Sequence, residues 1–447
     1  MHDNYERIAE QVLGRVQQRV RGQAEVFISD SQEMKVDVAE KKVENMLVAQ
    51  ERGLGLRVIA GQRLGYAFTS DLSNFALERV VEQAIYNAKE SEPDSGWELP
   101  LPSGGYPVMK LYDDETFAVS VDEKIELARN IEESARAFDA RVRITERSVY
   151  QEAKYRVSIF NSLGLNGSFL GSYCGGYAVV VGQENGDSQT GFGMQYDLKY
   201  KELNAQKIGR EAAEKAVRML GAQKIASAHL PVVLDPYTVT SFFSVLQTAF
   251  SAEAVMKGKS FFEGQEQKQV ANPQVTIIDD GAMPYKLGSM PFDGEGMTTR
   301  QTVLIKDGWL QGFLHSNYTA KKFGVSSTGN GVRGSFKSTP EVGITNFYIS
   351  EGTSTKEQII KEITKGLYIT DVMGMHTANP VSGDFSLGVS GLLIENGELT
   401  RPVKGIAVAG NLKELLMDID AVGNQVVFYV TKGAPVLRIK ALSISGD

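Results

Sequence analysis

The spacing of apolar residues along the chain changes character several times. Tyr5, Ile8, Val12, Leu13, Val16 and Val20 recur at helical intervals, which predicts an amphipathic first helix whose apolar stripe packs on a following sheet. From Ala24 to Ser70 the apolar positions alternate instead: Val26 and Ile28, Val36 and Val38, then Val43, Met46 and Val48, then 54–59 and 64–68 about a Gly61-Gln62 turn. Alternation sends successive side chains to opposite faces, so this stretch predicts an antiparallel meander. Ser73 is placed to cap a helix carrying Leu77, Val80, Val81, Ala84, Ile85 and Ala88, ending before Pro93. After a Pro/Gly loop over 93–107, Ser120 and Glu123 form a capping box for a helix with Ile125, Ala128, Ile131 and Phe138 on one side. Strands are expected to resume near Arg141 and reach Tyr196. Asn204 then caps a helix with Ile208, Ala212, Ala216 and Leu220 that stops at Gly221.

The polar Ala226-Ser227-Ala228 stretch marks a domain boundary near residue 225, giving domains 1–224 and 225–447. In the second, a strand over 230–234 precedes Asp235-Pro236, an N-cap residue with Pro at the first helical position. The helix it opens is expected to run to about Lys257, with Gly258 as terminator, and its Val239, Phe242, Phe243, Leu246 and Phe250 read as core. Beyond it the apolar runs are short and turn-bounded, at 275–278, 302–305, 309–314, 345–349, 392–394, 406–409, 425–429 and 436–439. Two brief helices interrupt them, one capped by Ser354 with Glu357 and one by Asn411 with Glu414. The expected fold class is α+β: an N-terminal antiparallel sheet packed with helices, and a β-rich C-terminal domain with one long helix at its start.

A length of 447 residues agrees with about two to three domains. Lys plus Arg number 47 against 55 Asp plus Glu, a net charge of −8 without any basic run, so direct nucleic-acid binding lacks electrostatic support. The single cysteine, Cys174, has no partner for a disulfide or for a zinc-binding Cys pair, which suits a reducing compartment. The start, Met1 to Arg7, is charged and polar rather than laid out as a signal peptide. No apolar run approaches the roughly 20 residues of a membrane span. The cytoplasm is the expected location.

Candidate chemistry is sparse. A hydrolytic zinc site of the common helical kind needs two close histidines with a Glu between them. The four histidines here, His2, His229, His315 and His376, make no such pair. A site assembled from distant residues, such as His315 and His376 with Asp279 or Asp293, remains open but nothing in their spacing requires it. Gly329-Asn330-Gly331-Val332-Arg333-Gly334 matches the dinucleotide fingerprint. Its context is wrong, because it follows a helical segment (317–323) and precedes strand-like sequence (336–349), whereas a phosphate loop leaves a strand and enters a helix. It reads as a Gly-rich connection. Asp279, Asp280, Asp293 and Glu295 read as exposed turn acids rather than an acid/base pair. Cys174, between Gly171 and Gly176 with no neighbouring His, reads as an inert small apolar residue.

One long block is more specific. Asn379-Pro380-Val381-Ser382-Gly383-Asp384-Phe385-Ser386-Leu387-Gly388-Val389-Ser390-Gly391, continuing to Ile394-Glu395-Asn396-Gly397-Glu398-Leu399, resembles a block of the TldD/TldE (PmbA) metalloprotease family. Phe292-Asp293-Gly294-Glu295-Gly296 and Ser326-Ser327-Thr328-Gly329-Asn330 support it, and the resemblance covers essentially the whole chain. In that family the TldD branch carries His-Glu-x-x-x-His on the helix opening the second domain, with a cysteine near the C-terminus. The corresponding stretch here, Ser244-Val245-Leu246-Gln247-Thr248-Ala249, has neither His nor Glu, and residues 423–447 contain no Cys.

The resemblance is thus to the TldE (PmbA) branch. It implies a non-metal-binding subunit of a heteromeric protease for small or unfolded peptides, inactive without a TldD-like partner that supplies zinc. Family names that invoke a modulator of DNA gyrase imply an indirect role, in keeping with the acidic charge. Exposed strand edges of the β-rich domain suit peptide addition. The Gly-rich 382–391 loop gives the candidate peptide-cleft residues Asn379, Ser382, Gly383, Asp384, Ser386 and Ser390. The alternative is a stand-alone peptide-binding module or a metal-independent hydrolase, and a homodimer of this chain alone also stays open.

Overall fold

The alternating stretch after the first helix folds as a meander with long strands. The computed structural model describes residues 5–102 and 104–446, so His2 lies outside the described residues. Strands β1 (Gln23–Ala39), β2 (Lys42–Ala60), β3 (Arg63–Thr69), β4 (Val142–Asn161), β5 (Asn166–Glu184) and β6 (Asp187–Asp197) form one sheet in the order β3-β2-β1-β4-β5-β6. Every neighbour pair in it is antiparallel. Helices α1 (Tyr5–Arg19) and α2 (Asn74–Glu90) cover one end, where Val12, Val16, Val26, Leu56, Val81 and Ala84 share a core. After the short α3 (Asp114–Ala118), α4 (Val121–Phe138) and α5 (Ala205–Val217) cover the other end through Ile131, Ala178, Val180, Ile208 and Ala212. The caps form as the sequence requires: Ser73 Oγ accepts from Ala76 N, and Ser120 with Glu123 closes a capping box.

One part of the meander departs from the expected core. Strand β3 pairs only with residues 54–60 of β2, so the first part of β2 is held by β1 alone, and Val43, Met46, Leu47 and Val48 are exposed. Alternation fixes which face a side chain takes, not whether another layer covers that face.

In the second half, β7 (Ala228–Leu234) leads to α6 (Pro236–Ala249), capped by Asp235, whose Oδ1 accepts from Tyr237 N at 3.0 Å. The helix does not continue to Lys257. It stops at Phe250, and Ser251 caps a separate α7 (Ala252–Met256). The break has a tertiary cause: Leu314 N donates to Phe250 O at 2.8 Å, and Ala252 N donates to Leu314 O at 3.0 Å. Gly258, with φ at +63°, turns the chain away afterwards.

The remaining elements are β8 (Ile277–Asp280), β9 (Gln301–Lys306), β10 (Trp309–Leu310), α8 (Asn317–Phe323), β11 (Gly331–Val332), β12 (Glu341–Val342), β13 (Phe347–Ile349), α9 (Lys356–Lys361), β14 (Lys365–Met373), β15 (Asp384–Glu395), β16 (Glu398–Asn411), α10 (Leu412–Met417), β17 (Ile419–Val422), β18 (Val427–Tyr429), β19 (Lys432–Ala434) and β20 (Leu437–Ser445). They build two six-stranded sheets, β10-β9-β8-β13-β19-β18 and β16-β15-β14-β7-β20-β17, and an extra β16–β20 pairing closes five strands of the latter into a barrel. Helix α6 joins both sheets in one core: Phe243 meets Phe347 of the first at 4.9 Å between ring centroids, and Phe242 meets Phe385 of the second at 5.4 Å. The chain is α+β.

Three local expectations are corrected. The segment from Asp384 onward, expected as a Gly-rich loop, is strand β15. The cap of α9 is Thr355 with Gln358, one residue beyond the expected Ser354 and Glu357. Residues 336–349 hold two short strands, β12 and β13, rather than one continuous strand. Among the described residues no helix is long and apolar enough to cross a membrane.

Candidate functional site

Helix α6 buries Thr238, Val239, Phe242, Phe243, Val245, Leu246 and Ala249, because it lies in one core with both sheets, Phe243 against Phe347 and Phe242 against Phe385, and it turns Ser244 to water. Its last turn opens to a groove of about 510 Å³, where Gln247, Thr248 and Ser251 face Val332, Val342 and Ile344. This is the helix on which a hydrolytic zinc would be held in the resembling family. The polar side chains lining the groove are one amide, two hydroxyls, Lys259, and Glu253 tied to Lys257 at 2.5 Å. No imidazole or thiolate is among them, so this donor set does not fit a zinc ion.

The histidines do not repair it. His315, one residue beyond Leu314 in the groove wall, is buried, its Nδ1 has no hydrogen-bond partner among the described residues, and burial pushes its pKa down to about 4. His229 lies on β7 beside Ser443, and His376 lies in the turn 375–377. Among the described residues no group of three or more His, Cys, Asp or Glu side chains is arranged to hold a metal. Cys174 is fully buried, and burial pushes its thiol up to about 12, as suits an inert residue.

The four acids expected at exposed turns are all buried, because each finds donors inside the protein. Asp279 Oδ1 accepts from Thr345 N at 2.7 Å, and Oδ2 accepts from Asn330 Nδ2 at 2.7 Å and Thr345 Oγ1 at 2.8 Å. Burial still pushes its pKa up to about 6. Asp280 Oδ1 accepts from Ala282 N at 2.9 Å. Asp293 Oδ1 accepts from Glu295 N and Met297 N, each at 2.9 Å, and Oδ2 from Gly331 N at 2.7 Å. Burial raises the Asp293 pKa, and the neighbouring Glu295 charge adds to the rise.

The Gly-rich motif and the Phe292–Gly296 motif therefore meet. Gly294 N donates to Gly331 O at 2.6 Å, an approach that side chains would prevent: a Cβ on Gly331 would lie 2.6 Å from Glu295 Oε2. The glycines serve backbone packing rather than a phosphate.

Around this contact runs a buried ion network. Arg57 of β2, only 2% exposed, donates from Nη2 to Glu25 of β1 at 2.6 Å and from Nη1 to Glu295 at 3.0 Å. Glu25 also pairs with Arg333, and Glu295 accepts from Asn317 N at 2.6 Å. Burial opposes the Arg57 charge, but the two carboxylates outweigh it and its pKa moves up. The network ties the N-terminal sheet to the loops after β8 and β11. Beside it lies a second groove of about 340 Å³ between the sheet and Arg333, and Val332 lines both grooves.

The sequence candidates separate into two places. Asn379, Ser382, Gly383 and Asp384 come together in one turn: Asn379 Oδ1 accepts from Val381 N at 2.9 Å, Gly383 N donates to Asn379 O at 2.8 Å, and Ser382 Oγ donates to Asp384 Oδ2 at 2.7 Å. Asn411, the cap of α10, donates to Asp384 Oδ1 at 2.7 Å. Ser386 lies further along β15. Ser390 lines a different cleft, of about 640 Å³, with Tyr237, Asp371 and Lys404. Glu25, Arg57 and Arg333 were not sequence candidates. For Glu25 and Arg57 the signal was a lone charge inside an apolar strand, as in Leu54-Gly55-Leu56-Arg57-Val58-Ile59, whereas Arg333 sits in the Gly-rich connection and carried no such signal.

Comparison with known proteins gives matches along most of the chain. Three models describe it as PmbA/TldA metallopeptidase: domain 1 over residues 24–88, the central domain over 114–220 and the C-terminal domain over 227–446. Metalloprotease PmbA of Escherichia coli O157:H7 is 30% identical over 408 residues, covering 90% of this chain and 88% of that protein. The Metalloprotease TldD homolog of Haemophilus influenzae is 28% identical, covering 89% and 87%. The crystal structure of TldE from Thermococcus kodakarensis superposes with a TM-score of 0.90 at 26% identity, covering 98% of this chain and all of that one.

Proposed function

The chain belongs to the PmbA/TldD metallopeptidase family, and from that premise we propose that it acts as the metal-free, TldE (PmbA)-like subunit of a heteromeric peptidase. A TldD-like partner supplies the zinc, and small or unfolded peptides are the substrates. The observation that carries the reading is the donor set at the α6 groove, where Gln247, Thr248 and Ser251 stand without imidazole or thiolate. Such a set cannot bring the pKa of a bound water down to about 7. Two features support association with a partner and with peptide. The free edge of β2 exposes Val43, Met46, Leu47 and Val48, a strand edge of the kind that pairs with another chain. The α6 groove stays open although it has no metal to serve. The cytoplasm is the compartment this reading expects.

The test is reconstitution. The purified chain, a TldD-like protein and their mixture are incubated with an unfolded peptide, with and without chelator. The mixture is expected to cleave, chelator to abolish cleavage, and the chain alone to be inactive. Cleavage by the chain alone in chelator would overturn the proposal and favour a metal-independent hydrolase. A stand-alone peptide-binding module is the second reading, favoured by the two grooves that share Val332, and tight peptide binding with no response to the TldD-like protein would select it.

A further inference from the structure

Strand β2 leaves much of its outer edge open. Strand β1 pairs with it from Lys42 to Ile59, whereas β3 takes the other edge only from Leu54 to Ala60. Along residues 44–52 no strand lies beside that second edge among the described residues. The side chains there are uncovered as well: Met46, Leu47 and Val48 are 44%, 49% and 58% exposed. Successive residues of a strand face opposite sides, so both faces are bare at the same point. A free edge in a monomer is normally blunted by Lys, by Pro or by a bulge. Residues 43–53 hold no Lys and no Pro, and the one bulged residue, Glu44, which has no partner on β1, lies at the end of the open stretch. Apolar side chains on both faces of an unpaired edge mark an interface.

The residues along the edge are complementary to themselves. Alternate residues of a strand turn their backbone groups to the same edge. In a two-fold antiparallel pair of identical strands each residue therefore meets one of the same parity, and the axis falls on a residue rather than between two. Centred on Met46, the pairing would set Val48 against Glu44 and Leu47 against Asn45, and centred on Ala49 it would set Met46 against Arg52 and Leu47 against Glu51. Centred on Leu47, apolar residues meet at the axis, but Val43 faces Glu51 and Lys42 faces Arg52. Centred on Val48, the two Val48 side chains meet, Leu47 faces Ala49, Met46 faces Gln50, Asn45 faces Glu51, and Glu44 faces Arg52 on either side of the axis. No like charges are opposed in that register, and two opposite pairs are.

We propose that residues 44–52 of β2 pair antiparallel with the same segment of a second copy of this chain, about a two-fold axis at Val48, joining two six-stranded sheets into one. The pairing does not depend on the peptidase reading. It is the form of the chain in the absence of a TldD-like subunit, which would compete for the same edge.

The test uses the full chain with one cysteine added. Cys174 is fully buried and stays silent toward maleimides while the protein is folded. Val48→Cys places two thiols across the axis, and a short bismaleimide is expected to convert it to a covalent dimer. Val43→Cys is the control: five residues of strand on each side of the axis separate its two thiols by about 34 Å, and it is expected not to cross-link. Val48→Glu sets two carboxylates against each other at the axis and is expected to weaken dimerisation by at least about tenfold in light scattering, with circular dichroism unchanged because Val48 is exposed. A native chain that is monomeric, a Val48→Cys variant that does not cross-link, equal cross-linking of the two cysteine variants, or undiminished dimerisation of folded Val48→Glu overturns the self-pairing. If the native chain is monomeric and Val48→Cys loses its maleimide reactivity only when a TldD-like protein is added, the edge belongs to that partner, and the self-pairing falls while the subunit reading stands.

Discussion

Replacing Arg57 with Met is expected to lower the unfolding free energy by about 3–5 kcal/mol, the loss typical of breaking a buried ion pair from one side. Met keeps the apolar stem of the side chain and removes the guanidinium with both of these donors, so Glu295 keeps only Asn317 N, and Glu25 keeps only Arg333, as named partners. Neither carboxylate can reach water, since Glu25 is 0% and Glu295 1% exposed. The loss measures stranded charge rather than the net worth of the pair. Adding Glu295→Gln to Arg57→Met is therefore expected to recover part of it. Urea unfolding checks both, the midpoint falling with little change in slope. A loss below about 1 kcal/mol would mean that solvent reaches the carboxylates and the network is worth no more than a surface pair.

The second large effect is expected at Asp279. Asp279→Ala removes the acceptor for Thr345 N, Thr345 Oγ1 and Asn330 Nδ2 at once. The hydroxyl can turn elsewhere and Asn330 keeps its bond to Gly343 O at 2.9 Å, so the expected loss is about 2–4 kcal/mol rather than the sum of three orphaned donors. Its pH dependence has a definite sign. Burial raises the folded pKa from 3.8 to about 6, so between those values the folded state binds more protons than the unfolded state. The contribution of Asp279 to stability is then complete below the unfolded pKa and declines as pH rises through the folded one. The gap between native and variant is expected to be wider at about pH 5 than at about pH 7.5, and a gap that widens with pH would contradict the assignment. Asn330 and Gly343 belong to the segments flanking β11 and β12, so the variant is also expected to loosen the wall that both grooves share.

What the sequence made legible was local. Ser73, Ser120 with Glu123, Asn204 and Asp235 each signal a helix start through donors and acceptors a few residues apart, and each helix begins there. Features decided by distant chain were not legible. Helix α6 breaks because Leu314 takes the backbone groups of Phe250 and Ala252. Strand β14 was missed because the short apolar run from Gly366 to Ile369 carries no period of its own. It becomes a strand by pairing in parallel with β7 and antiparallel with β15.

The site divides in the same way. The missing histidines of α6 could be read directly from the sequence. The motif around Asp293 and Glu295 was found but given the wrong environment, because its partners Arg57 and Gly331 are far away in the chain. Sequence spacing between Arg333 and Glu25 offers no hint that they meet beneath an aromatic groove.

The central claim, that this chain contributes no metal of its own, is tested most directly by plasma mass spectrometry of the purified, untagged protein grown with added zinc. The account predicts less than about a tenth of an equivalent of zinc per chain. A value near one equivalent that survives mild chelation would contradict it, and would make His315, His376 and their acidic neighbours the ligands to mutate next.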